Sequence, residues 1–413
     1  MKHTFADARF RSAWCLVLGL ALVLCISFGT TLNALGVFTL PIIAAFHCSH
    51  EEAAHVATVF LFAMTLAMPA AGWLLDRVAP RPVMAAGALL TVIGYLYAAR
   101  SSDLDLFTTA IALGGIGIGM STYIPAVTLV SHWIPPRQQG LAFGILLAAV
   151  SLGGMVFPVL LTRIIVAFDW RTAMTMVAAL IFCICLPLLL WLARMPPAHP
   201  TESARPAPAL GHGIVQALRM PSYWLWIAML MLITMSSLGV YMALIPYLVS
   251  VGYSADHAAL VNAGAGAATL AGNFLFGVLS ARWGTERTLL AGTVVAAAGI
   301  LFLLGAHDPA LGLGAVALFA LVWGSTFNLA NQLSPAMLLE SMGQRNFGSL
   351  LGIGNLIAGV GSAFGPEIVG YLVDLTHAYT LPLLLCAALM LAALLPIALL
   401  HGVRQKPAEE AWC

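Results

Sequence analysis

Asp76 stands beside Arg77, with Arg81 a turn further on, in the run Gly72-Trp73-Leu74-Leu75-Asp76-Arg77-Val78-Ala79-Pro80-Arg81. A carboxylate at the end of an apolar stretch can accept hydrogen bonds from the first turn of a neighbouring helix, whose dipole favours negative charge. The two guanidinium groups can pair with it and with acids of adjacent segments. That is switch chemistry rather than catalysis: a charged cluster of this kind biases two conformations by a few kcal/mol. The competing reading is a plain topology determinant in contact with anionic lipid. Glu367, just after Pro366, is the one acid inside an apolar run. An unpaired acid there holds its proton rather than bear the desolvation of a charge, so it is a candidate proton carrier. It could equally be an outer-end residue wetted by solvent, or one paired with Arg163 or a His. No HExxH, GxSxG or P-loop pattern occurs. The seven cysteines form no CxxC pair and read as small apolar residues, so no metal, disulfide or cofactor is implied.

The elements that carry these residues follow from composition. Of 413 residues, 61% are hydrophobic and 8% charged, against about 25% charged in a soluble domain. A soluble globular protein is thereby excluded, and a net charge of +1 without a basic block excludes a nucleic-acid binder. The apolar residues fall in twelve blocks of membrane-spanning length, near 13–45, 52–75, 83–99, 105–132, 140–166, 171–193, 222–250, 255–280, 288–306, 309–338, 347–373 and 379–401. None alternates with period two, so a β-barrel is excluded. The first block is expected to be a retained span, not a signal peptide.

Lys and Arg set the expected orientation. With both termini in the cytoplasm, the inner segments hold Lys2, Arg9, Arg11, Arg77, Arg81, Arg137, Arg194, Arg205, Arg219, Arg282, Arg287, Arg345, Arg404 and Lys406, while Arg100, Arg163 and Arg171 lie outside. The outer loops are short and acidic, with Glu51, Glu52, Asp103, Asp105, Asp169, Asp256, Asp308 and Asp374.

A Pro-rich stretch at 195–209 divides the spans six and six. The expected organisation is an N-terminal bundle at 1–194, a cytoplasmic linker at 195–220, a C-terminal bundle at 221–402 and a tail at 403–413. The halves repeat. Gly72-x-Leu74-x-x-Arg77 recurs as Gly277-x-Leu279-x-x-Arg282, an offset of 205. Arg137-x-x-Gly140-x-x-x-Gly144 recurs as Arg345-x-x-Gly348-x-x-x-Gly352, an offset of 208, which also relates Pro158 to Pro366. A six-span unit duplicated in parallel is a transporter architecture.

These marks resemble the major facilitator superfamily. The run from Gly72 to Arg81 is similar to its G-x-L-x-D-R-x-G-x-[RK] signature, with Ala79 in place of the second Gly. Within the superfamily, Tyr123-Ile124-Pro125-Ala126, Trp133 through Gly144, Asp169-Trp170-Arg171, Gly343 through Gly348, and Gly365-Pro366 with Gly370 and Asp374 resemble the monocarboxylate-porter and oxalate/formate-antiporter-like branch. The resemblance implies an all-α membrane protein, twelve helices in two pseudo-symmetric six-helix bundles. It implies a monomer in the cytoplasmic (inner) membrane. Its function is then secondary active transport of a small organic solute, such as a monocarboxylate, by alternating access with proton coupling. A drug or metabolite efflux antiporter of the same superfamily is the alternative. The G-P-x-x-G-G turn of drug exporters is poorly matched by Gly153-Gly154 and Phe157-Pro158-Val159. A polytopic enzyme or receptor is remote.

In this family the gate is the loop motif, here Gly72, Leu74, Asp76, Arg77 and Arg81, with Gly277, Arg282 and Arg287 in the second copy. Ala281 replaces the second Asp, so an asymmetric latch is expected. The family's cavity is lined by spans one, four, seven and ten, which places Thr30, Asn33, Tyr123, Tyr241, Asn328, Asn331 and Gln332 as solute contacts. For each Ser or Thr, bonding to a backbone carbonyl is the stronger reading. Tyr123 and Asn331 are repeat-related and are the leading pair. Relatives of the branch often hold a carboxylate with a span-eight Arg; Asn273 stands there instead. An amide can bond a carboxylate but cannot neutralise it, so a neutral, weakly acidic, zwitterionic or lipophilic solute fits better.

Overall fold

The computed structural model describes residues 2–196, 211–307 and 312–400, with side chains from Arg11 onward. Arg205 and most of the expected linker, Asp308, and the expected tail at 403–413 with Arg404 and Lys406 lie outside them. Among the described residues, twelve helical segments are long and apolar enough to cross a membrane. They are α1 Arg11–Phe46, α2 His50–Leu75, α3 Pro80–Ala98, α4 Leu104–Trp133, α5 Pro136–Ala167 and α6 Trp170–Leu192. The second six are α7 Pro221–Ser250, α8 Ala255–Trp283, α9 Thr285–His307, α10 Gly312–Met342, α11 Phe347–Thr376 and α12 Thr380–Leu400. The only β pairing among these residues is an isolated bridge of Gly211 and Gly343. The protein is an all-helical, multi-pass membrane protein.

The helix starts follow local chemistry. Ser49, Asp103, Asp169 and Ser254 cap α2, α4, α6 and α8, each side chain accepting a first-turn N–H. At Ser49 the capping box is complete, with Glu52 returning a bond to the Ser49 N–H. α3, α5 and α7 instead begin with Pro80, Pro136 and Pro221, where the missing N–H costs nothing. Asp103 and Asp169, counted above as loop acids, are thus structural caps.

Several spans are broken. α1 stops at Thr30 and resumes at Leu35. Thr30 and Thr31 donate to Ile26 O at 2.7 Å and Ser27 O at 2.6 Å, while Asn33 N reaches back to Phe28 O at 2.9 Å. α4 breaks at Thr122 (φ −112, ψ −103), just ahead of Pro125, which has no N–H to continue the ladder. α10 breaks at Phe327 and Asn328. α6 contains a π turn at Ile181–Cys185.

The helices group into two units. Unit one is Met1–Pro135, Ile145–Leu210 and Arg345–Ile353; unit two is Pro136–Gly144, Gly211–Gln344 and Gly354–Cys413. α5 and α11 are therefore each shared, their first turns belonging to one unit and their remainders to the other. In unit one, Phe46, Phe107 and Trp170 form a triangle of rings with centroids 5.6, 5.7 and 5.6 Å apart, joining α1, α4 and α6. Arg171 lies over the Trp170 ring at 4.3 Å and donates to Ser101 O at 3.2 Å. The Asp169-Trp170-Arg171 motif is thus a cap, a wedge and a tie in sequence. In unit two, Trp226 stacks on Tyr223 and donates to Ser334 O at 2.8 Å, and Trp323 stacks on Phe319.

Candidate functional site

In unit two, α7, α10 and α11 line an open cavity of about 230 Å³, with Leu230, Thr234, Ser237, Leu238, Phe327, Asn331, Asn355, Ala358, Gly359 and Ser362 as its wall. None of these is charged. Thr234 donates its hydroxyl proton to Leu230 O at 2.6 Å, and Ser362 donates to Gly359 O at 2.8 Å. With those protons committed, both hydroxyls can offer only lone pairs to an occupant. The carboxamides of Asn331 and Asn355 carry donors and acceptors together. Leu230, Leu238, Phe327 and Ala358 supply apolar wall. Tyr241 of α7 is 40% exposed, its ring 5.6 Å from that of Phe327.

This wall contains Asn331 and, through Phe327, adjoins Tyr241. Asn328 sits in the α10 break, at the cap position of its second segment. Tyr123 follows the α4 break in unit one, 9% exposed. Thr30 is buried and spends its hydroxyl on Ile26 O; Asn33 is exposed and points Nδ2 at Val150 O at 3.5 Å. Gln332 and Asn273, each 1% exposed, lie together outside the cavity lining. The Gln332 Nε2 donates to Asn273 O at 2.9 Å and to Gly140 O at 3.0 Å. Glu367 and Arg163 are exposed on α11 and α5. Asn355 and Ser362 were not anticipated, because α11 is not a first helix of its repeat.

Asp76 caps the end of α2 in unit one. Its carboxylate accepts from Gly348 N at 3.1 Å, from Ser349 N at 2.9 Å and from the Ser349 hydroxyl. These donors are the first turn of α11, whose N–H groups have no partner within their own helix. Burial pushes the Asp76 carboxyl above its ordinary value, while the bonds from Ser349 and Gly348 and the charge of Arg77 pull it down. The backbones meet closely: a Cβ on Gly72 would lie 2.0 Å from Gly348 O. Arg77 differs from the paired arrangement anticipated above. It donates to Trp73 O at 3.2 Å and lies over the Trp73 ring at 4.1 Å. Leu74 is half-buried and Arg81 exposed. In the second copy Gly277 packs on Leu141 and Gly140 O, and Arg282 and Arg287 are exposed.

Among known proteins, the model of the Major Facilitator Superfamily matches residues 20–366 and 231–411. Monocarboxylate transporter 13 of Bos taurus is 26% identical over 390 residues, covering 92% of this chain and 87% of that protein. The agnestins efflux protein AgnL12 of Paecilomyces divaricatus is 27% identical over 361 residues, covering 86% of this chain and 79% of that protein. Among solved structures, the E. coli fucose:proton symporter FucP superposes with a TM-score of 0.73 at 16% identity, covering 94% of this chain and 98% of that one.

Proposed function

The chain belongs to the major facilitator superfamily and is a membrane transporter, not an enzyme; on that footing we propose that it is a secondary active transporter of a small organic solute, coupled to protons and working by alternating access. The observation that supports this most is the uncharged, hydrogen-bonding cavity of α7, α10 and α11. The solute is held by Asn331 and Asn355, with Thr234 and Ser362 as acceptors and Phe327 and Tyr241 as apolar wall.

A wall of mixed donors and acceptors without a cation favours a solute that carries no net charge. A monocarboxylic acid taken up in its protonated form, or with a proton delivered separately, fits those terms. The carboxylate alone would be desolvated without a countercharge. Glu367 is the proposed proton carrier on α11. The Asp76 contact with α11 is the proposed gate: it must break for the first turn of α11 to leave α2. The protein acts as a monomer in the cytoplasmic membrane, both termini inside, following the Lys and Arg distribution.

The test is flux in proteoliposomes with an imposed pH gradient, acid outside, using a panel of labelled monocarboxylates. Accumulation that collapses with a protonophore supports proton-coupled uptake. A second reading, efflux by antiport, draws on the likeness to the agnestins efflux protein. It predicts accumulation in inverted vesicles with the opposite gradient.

A further inference from the structure

The two helices shared between the units are held at their starts by opposite chemistry. At the start of α11, Asp76 accepts from the N–H groups of Gly348 and Ser349. The offset of 205 that relates Gly72 to Gly277 puts Ala281 where the second acid would be. The start of α5 is gripped by Gln332. From α10, the Gln332 Nε2 donates to Gly140 O on the first turns of α5 and to Asn273 O on α8. Its Oε1 is buried with no partner.

The surroundings are cut to this amide. A Cβ on Gly144 would lie 2.6 Å from Nε2 and 2.3 Å from Asn273 O, and one on Gly277 would lie 3.2 Å from Nε2. A Cβ on Gly140 would meet the Ser280 hydroxyl at 2.0 Å. Glycines thus clear a path by which one nitrogen on α10 reaches two other helices. The geometry favours a positioning residue over a solute contact, because both Nε2 protons go to backbone carbonyls.

We propose that Gln332 is the second latch of the transport cycle: a donor that grips carbonyls at the start of α5, in place of the missing acid, and that couples that grip to the cavity through its neighbour Asn331. This rests on the transporter reading above. It explains the asymmetry of the repeats: one latch is an acceptor for N–H groups, the other a donor for C=O groups. When α5 leaves, the amide loses Gly140 O, and the α10 segment that carries Asn331 loses an anchor. The second latch is neutral, so protons and salt do not act on it directly.

Two substitutions test this in the full-length protein. Gln332→Met keeps the volume and removes the donor. Gln332→Glu presents two carbonyls with a carboxylate at high pH and with one O–H donor at low pH. Gly140, Gly144, Asn273 and Gly277, which surround residue 332 from α5 and α8, carry no titratable group, so a pH response added by the Glu belongs to residue 332. Amide exchange over residues 136–148, read by mass spectrometry, reports the grip without needing a solute. The expected result is roughly tenfold faster exchange there in Gln332→Met, corresponding to one or two net hydrogen bonds lost. In Gln332→Glu the same rise should appear at high pH and revert toward wild type as pH falls, each value compared with wild type at that pH. Turnover should fall while KM stays near wild type. Wild-type exchange in both variants, or identical behaviour of Gln332→Glu at every pH, overturns the latch. A rise in KM with unchanged exchange overturns it in favour of a solute contact. If wild-type protein moves no solute at all, the transporter reading fails, and the exchange result still decides whether Gln332 holds α5.

Discussion

The Asp76 carboxylate accepts the backbone N–H of Ser349 at 2.9 Å, joining the end of α2 to the start of α11 across 273 positions of chain. Gly348 N and the Ser349 hydroxyl bond to the same group. A carboxylate with three donors is a strong acceptor, and its partners are amides that α11 cannot satisfy itself. The contact is cheap to form and specific to one helix start.

Asp76→Asn keeps the shape and loses the charge, and its amide nitrogen turns a donor toward donors. Bonds to charged groups contribute about 1.5–3 kcal/mol each. Turnover should fall about tenfold or more while expression stays near wild type. Normal transport at normal expression would remove the gate reading.

Gly72→Ala tests the same contact through space alone. Its Cβ would lie 2.0 Å from Gly348 O, a backbone atom that cannot rotate away. Overpacking of this kind costs about 1–3 kcal/mol. Exchange in the first turn of α11 should rise and turnover fall, with helical content by circular dichroism unchanged. Unaltered exchange would mean that α2 and α11 do not meet as closely as described.

Asn331→Ala and Asn355→Ala should each raise KM about tenfold, the effect of a hydrogen bond to solute of about 1–1.5 kcal/mol. Their double substitution should exceed either alone. Saturation curves measured in proteoliposomes check this. KM values within twofold of wild type for both would place the solute elsewhere.

Glu367→Gln removes the proposed proton carrier. Gradient-driven accumulation should be lost while solute exchange across the membrane persists. Full accumulation in this variant excludes Glu367 as the carrier.

Trp170→Ala removes the shared member of the ring triangle with Phe46 and Phe107 and the seat of Arg171. Truncating a buried Trp costs about 3–5 kcal/mol. The melting temperature of purified protein should drop by several degrees, with the KM of any surviving transport unchanged.

Much of this was legible in residue order because the bilayer demands it. Twelve apolar blocks had to be spans, and their ends fell within a few residues of the observed helices. The repeat-related glycines Gly72, Gly348 and Gly277 each sit against the backbone of another helix, although the sequence marks them only as repeats. The partner of Asp76 was legible only as a class, a helix start, because nothing local says which helix arrives. Side-chain direction was hardest. Asn331 and Gln332 are neighbours of similar chemistry, yet one lines the cavity and the other grips carbonyls. One residue is a turn of about 100° on a helix, and only packing decides which way the stripe faces. Asn355 and Ser362 were not legible because α11 is not a first helix of its repeat. The breaks at 31–34 and at Thr122 had partial signals in Gly36 and Pro125, neither sufficient alone.

The central claim is that a solute held among uncharged polar groups is carried across the membrane. The most direct measurement takes the compound that most stabilises purified protein in a thermal-shift screen of monocarboxylates, amino acids and lipophilic drugs, and follows its labelled form in proteoliposomes under a pH gradient. Accumulation above equilibrium, abolished by a protonophore and weakened by Asn331→Ala, is the result predicted. A compound that stabilises the protein through Asn331 yet never crosses the membrane under any gradient would contradict the account.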